Sequence, residues 1–138
     1  MFERIVYVSR AVGAMSARDV YDIIRRAHNR NAEAGLTGGL VFLDGHFIQV
    51  LEGERFQVER CFARIAADPR HEAVEVRARV RSEKRLFADE WMALRQADEV
   101  VPEVLERFGY APGLPAERFP GDAVEAFVLA CCQATAAA

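Results

Sequence analysis

The sequence lacks the features that would place the protein in a membrane or outside the cell. No apolar run approaches the roughly 18 residues that a helix needs to span a bilayer, and the N-terminus has no signal-peptide layout. Cysteine is scarce: Cys61, Cys131 and Cys132 are odd in number and have no metal or redox spacing, which favours a reducing compartment. We therefore expect a soluble cytoplasmic protein.

Excess positive charge and clusters of metal ligands are also lacking. The net charge of −3 does not support binding to nucleic acid. Arg77, Arg79 and Arg81 form a row without stacking aromatic residues, and we interpret this row as the solvated outer face of a strand. His28 and His46 lie far from any acidic or cysteine cluster, so we expect no metal site.

The composition is that of one ordinary globular domain. The chain has 138 residues, of which 51% are hydrophobic and 28% charged, enough for a single core but too few for two domains. Its periodicity predicts strands near residues 5–8, 38–43, 46–52, 74–81 and 90–94, and helices near 16–35, 53–68, 103–109 and 122–135. The order βαββαββ predicts an α+β, ferredoxin-like sandwich with two helices on one face of a mixed five-stranded sheet and the first strand central.

Local signals mark the ends of these elements. Ser16 is typical of a helix N-cap, and Asp19 three positions later imitates a capping box. Gly35 supplies a C-terminal stop. Prolines punctuate the chain after residue 98. We expect residues 98–138 to form a helical extension on the sheet face that the first two helices leave bare, and not a separate domain.

One glutamine lies within an apolar strand. Asp44-Gly45 between two apolar runs predicts a hairpin, whose pairing would place Leu40 opposite Gln49 and Phe42 opposite Phe47. A buried amide left unpaired costs about 1–3 kcal/mol. Gln49 therefore needs a polar partner.

Tyr7 in the first strand and Asn31 near the end of the first helix are expected to converge on the face that carries Gln49. A phenol and two amides are poor acid–base catalysts near neutral pH. All three can donate and accept hydrogen bonds, so they suit the edge of a flat heterocycle that displays both donors and acceptors.

These residues and their flanking motifs resemble the BLUF domains, blue-light sensors that use FAD. The resemblance covers about residues 4–95. It rests on Tyr7-Val8-Ser9, Asn31 followed by Gly35-Leu36-Thr37-Gly38, Phe47-Ile48-Gln49-Val50-Leu51-Glu52-Gly53, Asp68-Pro69-Arg70-His71, and Phe87 ahead of Met92. It implies that residues 1–97 form a flavin-binding domain of the short stand-alone type, without enzymatic activity.

The resemblance also implies a binding site for FAD between the two long helices. Ile23 and Ile65 would flank the flavin ring, and Asn31 would hold its pyrimidine edge. The ribityl chain or phosphates would meet Arg64, Asp68, Arg70 and His71. Arg70 and His71 fit a solvated turn after Pro69 equally well.

In the mechanism that the resemblance implies, Gln49 bridges the flavin and Tyr7, and Met92 completes the photoactive network. The excited flavin would take an electron and then a proton from Tyr7 through Gln49, leaving the glutamine rotated, tautomerised or both. The signal would pass to a separate partner protein, and we expect a homo-oligomer. Many family members have Trp-x-Met, whereas Trp91 and Met92 are adjacent here. Alternation would send Trp91 to the opposite face unless a bulge restores it.

Two other functions compete with this interpretation. The first is a non-photochemical regulatory domain that binds a flavin or another small ligand, and the presence of both Tyr7 and Gln49 argues against it. The second is a small enzyme such as an acylphosphatase, for which Val12-Gly13-Ala14 makes a poor anion-binding loop. The choice between FAD, FMN and riboflavin stays open.

Overall fold

The computed structural model describes residues 1–88 and 93–133, except for the side chain of His28. The elements follow one another as β1 (Phe2–Ala11), α1 (Ala17–Ala34), β2 (Thr37–Leu43), β3 (His46–Gly53), α2 (Arg55–Ala66), β4 (His71–Ser82), β5 (Ala93–Gln96), a 3₁₀ turn (Ala97–Glu99), α3 (Pro102–Phe108) and α4 (Gly121–Gln133). The predicted α+β class and element order are confirmed. The predicted strand near 90–94 and the end of the last helix fall partly outside the described residues.

The five strands form one mixed sheet in the order β4-β1-β3-β2-β5. Strands β2 and β5 are parallel, and the other neighbours are antiparallel. The predicted pairs Leu40–Gln49 and Phe42–Phe47 are both present. Strand β1 is an inner strand, as expected, although β3 rather than β1 is the middle one. Gln49 therefore has Tyr7 of β1 on one side and Leu40 of β2 on the other.

Alternation along the strands divides the core into two layers. On one face Ile5, Phe47 and Leu51 pack with residues of α1 and α2. On the other face Val6, Val41, Ile48 and Val50 pack against apolar residues of α3 and α4, including the fully buried Phe127 and Val128. Gly39 permits this contact, because a Cβ atom there would lie 2.7 Å from Cys132 Sγ of α4. The C-terminal helices thus cover the sheet face opposite α1 and α2.

Helix α1 begins and ends where its sequence signals predict. Ser16 and Asp19 form the capping box, with each side chain bound to the other residue's backbone N–H. At the C-terminus Gly35 adopts a φ of 70°, and the N–H of Leu36 donates to the carbonyl of Asn31 at 2.8 Å. This Schellman closure fixes Asn31 in the last turn of α1 and directs the chain into β2.

The predicted clean alternation of residues 74–81 is wrong at Arg77. A β-bulge shifts the register, so that Val6 faces Ala78 whereas Tyr7 faces Val76. Val76 is consequently 39% exposed, and the Arg77 side chain is only 8% exposed. Its guanidinium donates to the carbonyls of Leu114 and Gly113 at 2.5 and 3.1 Å. The interpretation of this arginine row as a solvated face therefore fails for Arg77, which anchors the loop between α3 and α4.

Two features with functional consequences are missing from the described part of the chain. No helix there has both the length and the apolar composition needed to span a membrane. No group of three or more His, Cys, Asp or Glu side chains is placed to hold a metal ion.

Candidate functional site

A cavity lies between α1 and α2, above the face of the sheet that carries Gln49. The space between its lining residues, including the open mouth, is about 930 Å³. All nine residues that the sequence predicts to contact the cofactor line this cavity: Tyr7, Ile23, Asn31, Gln49, Arg64, Ile65, Asp68, Arg70 and His71. Met92, the remaining member of the predicted photoactive network, lies outside the described residues.

Tyr7 and Gln49 form the polar floor of the cavity. They are direct cross-strand neighbours in β1 and β3, with 3% and 5% of their surface exposed. The Tyr7 hydroxyl donates a hydrogen bond to Gln49 Oε1. Burial, followed by the nearby Cys61 and Asp68, raises the pKa of Tyr7 well above its ordinary value. The phenol therefore keeps its proton and acts as the donor, which turns the NH₂ group of Gln49 away from it.

Asn31 lies in the last turn of α1 and is almost fully buried. Its Oδ1 accepts a hydrogen bond from the Cys61 thiol of α2, with 3.9 Å between sulfur and oxygen. Burial raises the pKa of the Cys61 thiol, although Arg64 and Arg30 act in the opposite direction. The thiol is thus a protonated donor, and it orients the Asn31 amide across the gap between the two helices.

His71 braces the wall of the cavity at the start of β4. Its Nε2 lies 2.6 Å from the Ile65 carbonyl, and its Nδ1 lies 2.7 Å from Ser9 Oγ. Because a carbonyl can only accept, Nε2 carries a hydrogen in this arrangement. The ring also packs edge-on to Tyr7 and Phe47, with centroid distances of 6.3 and 5.9 Å. His71 therefore ties the end of α2 to β1 and restricts the position of the phenol.

The mouth of the cavity is positively charged. Arg70 Nε donates to both Asp68 carboxylate oxygens, at 2.9 and 3.0 Å. The hydrogen bonds from Arg70 lower the pKa of Asp68 to about 2, so this pair carries one charge of each sign. Arg64 and Arg30 line the mouth from the two facing helices and leave it with a net positive charge. Such a mouth favours an anionic group.

Sequence reasoning missed two polar residues that line the cavity, Arg30 and Gln57. A signal for each is present in the helical period. Arg30 lies seven residues after Ile23, and Gln57 lies eight residues before Ile65, so each shares the inward face of its helix. Both are overlooked when only apolar residues are assigned to these faces.

Comparisons with known proteins bear on the family of this chain. The model of a family described as BLUF, sensors of blue-light using FAD, matches residues 2–93. One curated relative is the photoactivated adenylate cyclase subunit beta of Euglena gracilis, 34% identical over 97 residues, which are 70% of this chain and 11% of that protein. Another is the blue light- and temperature-regulated antirepressor BluF of Escherichia coli, 32% identical over 71 residues, which are 51% of this chain and 18% of that protein. The chain thus spans only a small part of the length of these relatives.

Solved structures share the fold over 70% to 97% of the chain. The BLUF protein BlrB in its dark state has a TM-score of 0.74 and 27% identity, and the match covers 94% of this chain and 96% of BlrB. Klebsiella pneumoniae BlrP1, solved with FMN and cyclic diGMP, has a TM-score of 0.65 and 32% identity over 70% of this chain and 26% of BlrP1. The photo-activated state of BlsA has a TM-score of 0.83 over 97% and 96% of the two chains, and at 24% identity it shows a likeness of fold alone. The family match over residues 2–93 shows that this chain belongs to the BLUF family, the sensors of blue light that use FAD.

Proposed function

We propose that this protein is a blue-light photoreceptor that binds FAD and signals through a hydrogen-bond network formed by Tyr7, Gln49 and the flavin. The observation that carries the proposal is the buried hydrogen bond from Tyr7 to Gln49 at the floor of a cavity that Asn31 also lines. A phenol in this position is an electron and proton donor whose proton already has an acceptor.

The residues present fit a flavin. Ile23 and Ile65 face the cavity from opposite helices and would bury a flat ring between aliphatic side chains. Protein donors bind the amide oxygens of Gln49 and Asn31. Both amides line the cavity, and an amide side chain can pair with the donors and acceptors along the edge of the ring. The positive mouth suits the phosphates of FAD or FMN, which riboflavin lacks.

The chain's own residues would perform the proton movements. When bound, the flavin supplies absorption of blue light and an excited state that accepts an electron. Loss of an electron from Tyr7 would make its hydroxyl proton strongly acidic, and Gln49 Oε1 is its acceptor. The electron and the proton would afterwards return to Tyr7, which restores the phenol and leaves the Gln49 amide rotated, tautomerised or both. Met92 is proposed as a further member of this network.

The output would follow from the position of Gln49. Strand β3 is the middle strand of the sheet, so a second arrangement of the Gln49 amide changes contacts to both neighbouring strands. We propose that a separate partner protein recognises this change and that the chain itself is a homo-oligomer without enzymatic activity.

We also propose that residues 1–97 are the flavin-binding unit. A cytoplasmic location is proposed as well, because Cys61, Cys131 and Cys132 are free thiols.

The proposal is tested by purifying the protein in the dark and recording its visible spectrum before and after blue light. We expect flavin bands that shift to longer wavelength and recover in the dark. Gln49→Leu should keep the flavin and lose the shift, because leucine fills a similar volume without an amide. Gln133→Leu makes the same change at an exposed position at the end of α4 and should keep the shift. A colourless protein, bands that merely bleach, or a normal shift in Gln49→Leu would contradict the proposal.

The same cavity would also serve a regulatory domain that binds flavin without photochemistry. That function predicts bound flavin whose bands do not shift in light, so the same spectra separate the two.

A further inference from the structure

The carboxylate of Glu52 is fully buried and has no part in the network described above. It lies on β3, three residues after Gln49. Its oxygens accept hydrogen bonds from the backbone N–H groups of Leu86 and Phe87 at 2.6 and 2.7 Å. The Thr37 hydroxyl donates to the same carboxylate at 3.2 Å. Glu52 therefore ties the strand that carries Gln49 to the loop after β4 and to the start of β2.

The cluster around Glu52 extends to the end of helix α1. Arg85 donates to the Thr37 hydroxyl at 3.0 Å and to the Gly35 carbonyl at 2.8 Å. Gly35 is the residue that closes α1, and the closure fixes Asn31. One set of hydrogen bonds outside the cavity thus connects the strand of Gln49 with the closure that fixes Asn31.

The same carboxylate is connected to helix α4 by an arginine. Arg4 Nη1 lies 3.6 Å from Glu52 Oε2. The Arg4 guanidinium also donates to both oxygens of Glu125, at 3.0 Å from Nε and 3.4 Å from Nη2. Arg4 is itself nearly buried in β1, whereas the Glu125 side chain is 17% exposed. The Arg4 guanidinium therefore binds two carboxylates, that of Glu52 on the middle strand β3 and that of Glu125 on α4.

Buried charges tolerate displacement from their partners poorly. A movement at one end of this set of contacts should therefore be passed to the other end. A buried carboxylate needs its full set of donors, and losing one leaves it incompletely compensated. A movement of β3 would therefore draw Arg4 with it and alter its contact with Glu125. A change at Glu125 would act on Glu52 by the same route, since coupling between two sites is reciprocal.

We propose that Glu52 is a positioning residue that couples the two cavity amides, Gln49 and Asn31, to helix α4 through Arg4 and Glu125. The inference rests on the proposed function, because the absorption bands of bound flavin report the state of the cavity. The chain of contacts makes α4 the element on which the rearrangement of Gln49 acts. Conversely, a change on α4 alters the lifetime of the light-shifted state.

The test perturbs the outer end of the chain of contacts, away from the cavity. Glu125→Gln removes the charge of a side chain that is 17% exposed but keeps its volume and an oxygen that can accept from Arg4, so the fold should tolerate it. We expect the dark-recovery rate of the shifted flavin bands to change about fivefold, the size of a typical coupling between remote sites. Glu125→Asp keeps the charge and should restore the wild-type rate. Glu103→Gln makes the same change at an exposed position in the first turn of α3 and should leave the rate unchanged.

A second measurement needs no light. Amide hydrogen exchange of Leu86 and Phe87, whose N–H groups donate to Glu52, should be about fivefold faster in Glu125→Gln. A role of Glu125 confined to α4 would not alter exchange at these two residues. Unchanged exchange there, or a recovery rate equal to that of the wild type, would overturn the coupling. A wild-type protein that binds flavin without a shift would instead reject the proposed function, and the exchange experiment would still decide on the coupling.

Discussion

Replacing Tyr7 with phenylalanine removes a single oxygen atom from the floor of the cavity. The ring contacts to Phe62 and His71, at centroid distances of 5.6 and 6.3 Å, do not involve the hydroxyl and should persist. What is lost is the hydrogen bond to Gln49 Oε1. The effect of the substitution therefore reports on one contact.

The magnitude follows from the burial of both partners. A hydrogen bond between neutral groups contributes about 1 kcal/mol net to stability, and a buried acceptor that loses its donor costs about 1–3 kcal/mol. Because Gln49 lines the cavity, we take the lower end of this range. We expect the free energy of unfolding to fall by about 1 kcal/mol, which corresponds to a decrease in Tm of about 4 °C for a domain of this size.

The assay is urea unfolding of the flavin-free protein in a double-mutant cycle with Gln49→Leu. Because each single variant breaks the same hydrogen bond, the two losses should fail to add by about 1 kcal/mol. Tyr21→Phe is the matched control, since Tyr21 is 57% exposed and its loss should cost less than about 0.5 kcal/mol. Additive losses in the cycle, or a Tyr7→Phe variant as stable as the wild type, would refute the contact. With flavin bound, Tyr7→Phe should also lose the spectral shift.

Two further predictions concern ionisable groups of the cavity. Hydrogen bonds from Arg70 lower the pKa of Asp68 to about 2 from 3.8, so the ion pair contributes stability above pH 4 that is lost as the pH falls towards 2. The side chains of Arg70 and Asp68 are 47% and 25% exposed, so solvent screens the pair and its contribution should stay below about 1 kcal/mol. Carbon NMR titration of the Asp68 carboxyl should give a pKa near 2, rising towards the ordinary value in Arg70→Gln. Cys61 lines the cavity, and burial raises the pKa of its thiol. Cys61 should therefore react slowly with a thiol reagent at pH 8, and added FAD should slow the reaction further. Equal labelling of Cys61 with and without FAD would contradict a flavin at this site.

Local rules of sequence were sufficient to place Gln49 opposite Leu40. The Asp44-Gly45 turn sets the register of the hairpin, and strand alternation then decides which side chains share a face. The end of α1 was equally predictable, because Gly35 is free to adopt the positive φ that closes the helix. Asn31 follows from that closure. These features depend on residues close together in the chain.

What the sequence did not reveal depends on residues far apart in the chain. The bulge at Arg77 exists because its guanidinium has carbonyl partners in the loop between α3 and α4, about 36 residues further along. The burial of Glu52 is likewise understandable only once Arg4 and the N–H groups of Leu86 and Phe87 surround it. Strand alternation alone assigns no partner to a buried charge.

Under the proposed function, light rearranges the hydrogen bond between Tyr7 and Gln49. A light-minus-dark infrared difference spectrum of flavin-loaded protein with ¹³C-labelled glutamine side chains would detect this change at the amide itself. We predict an isotope-sensitive band from the Gln49 side-chain carbonyl, which is absent in Gln49→Leu. A flavin shift without any glutamine band in the difference spectrum would contradict the account.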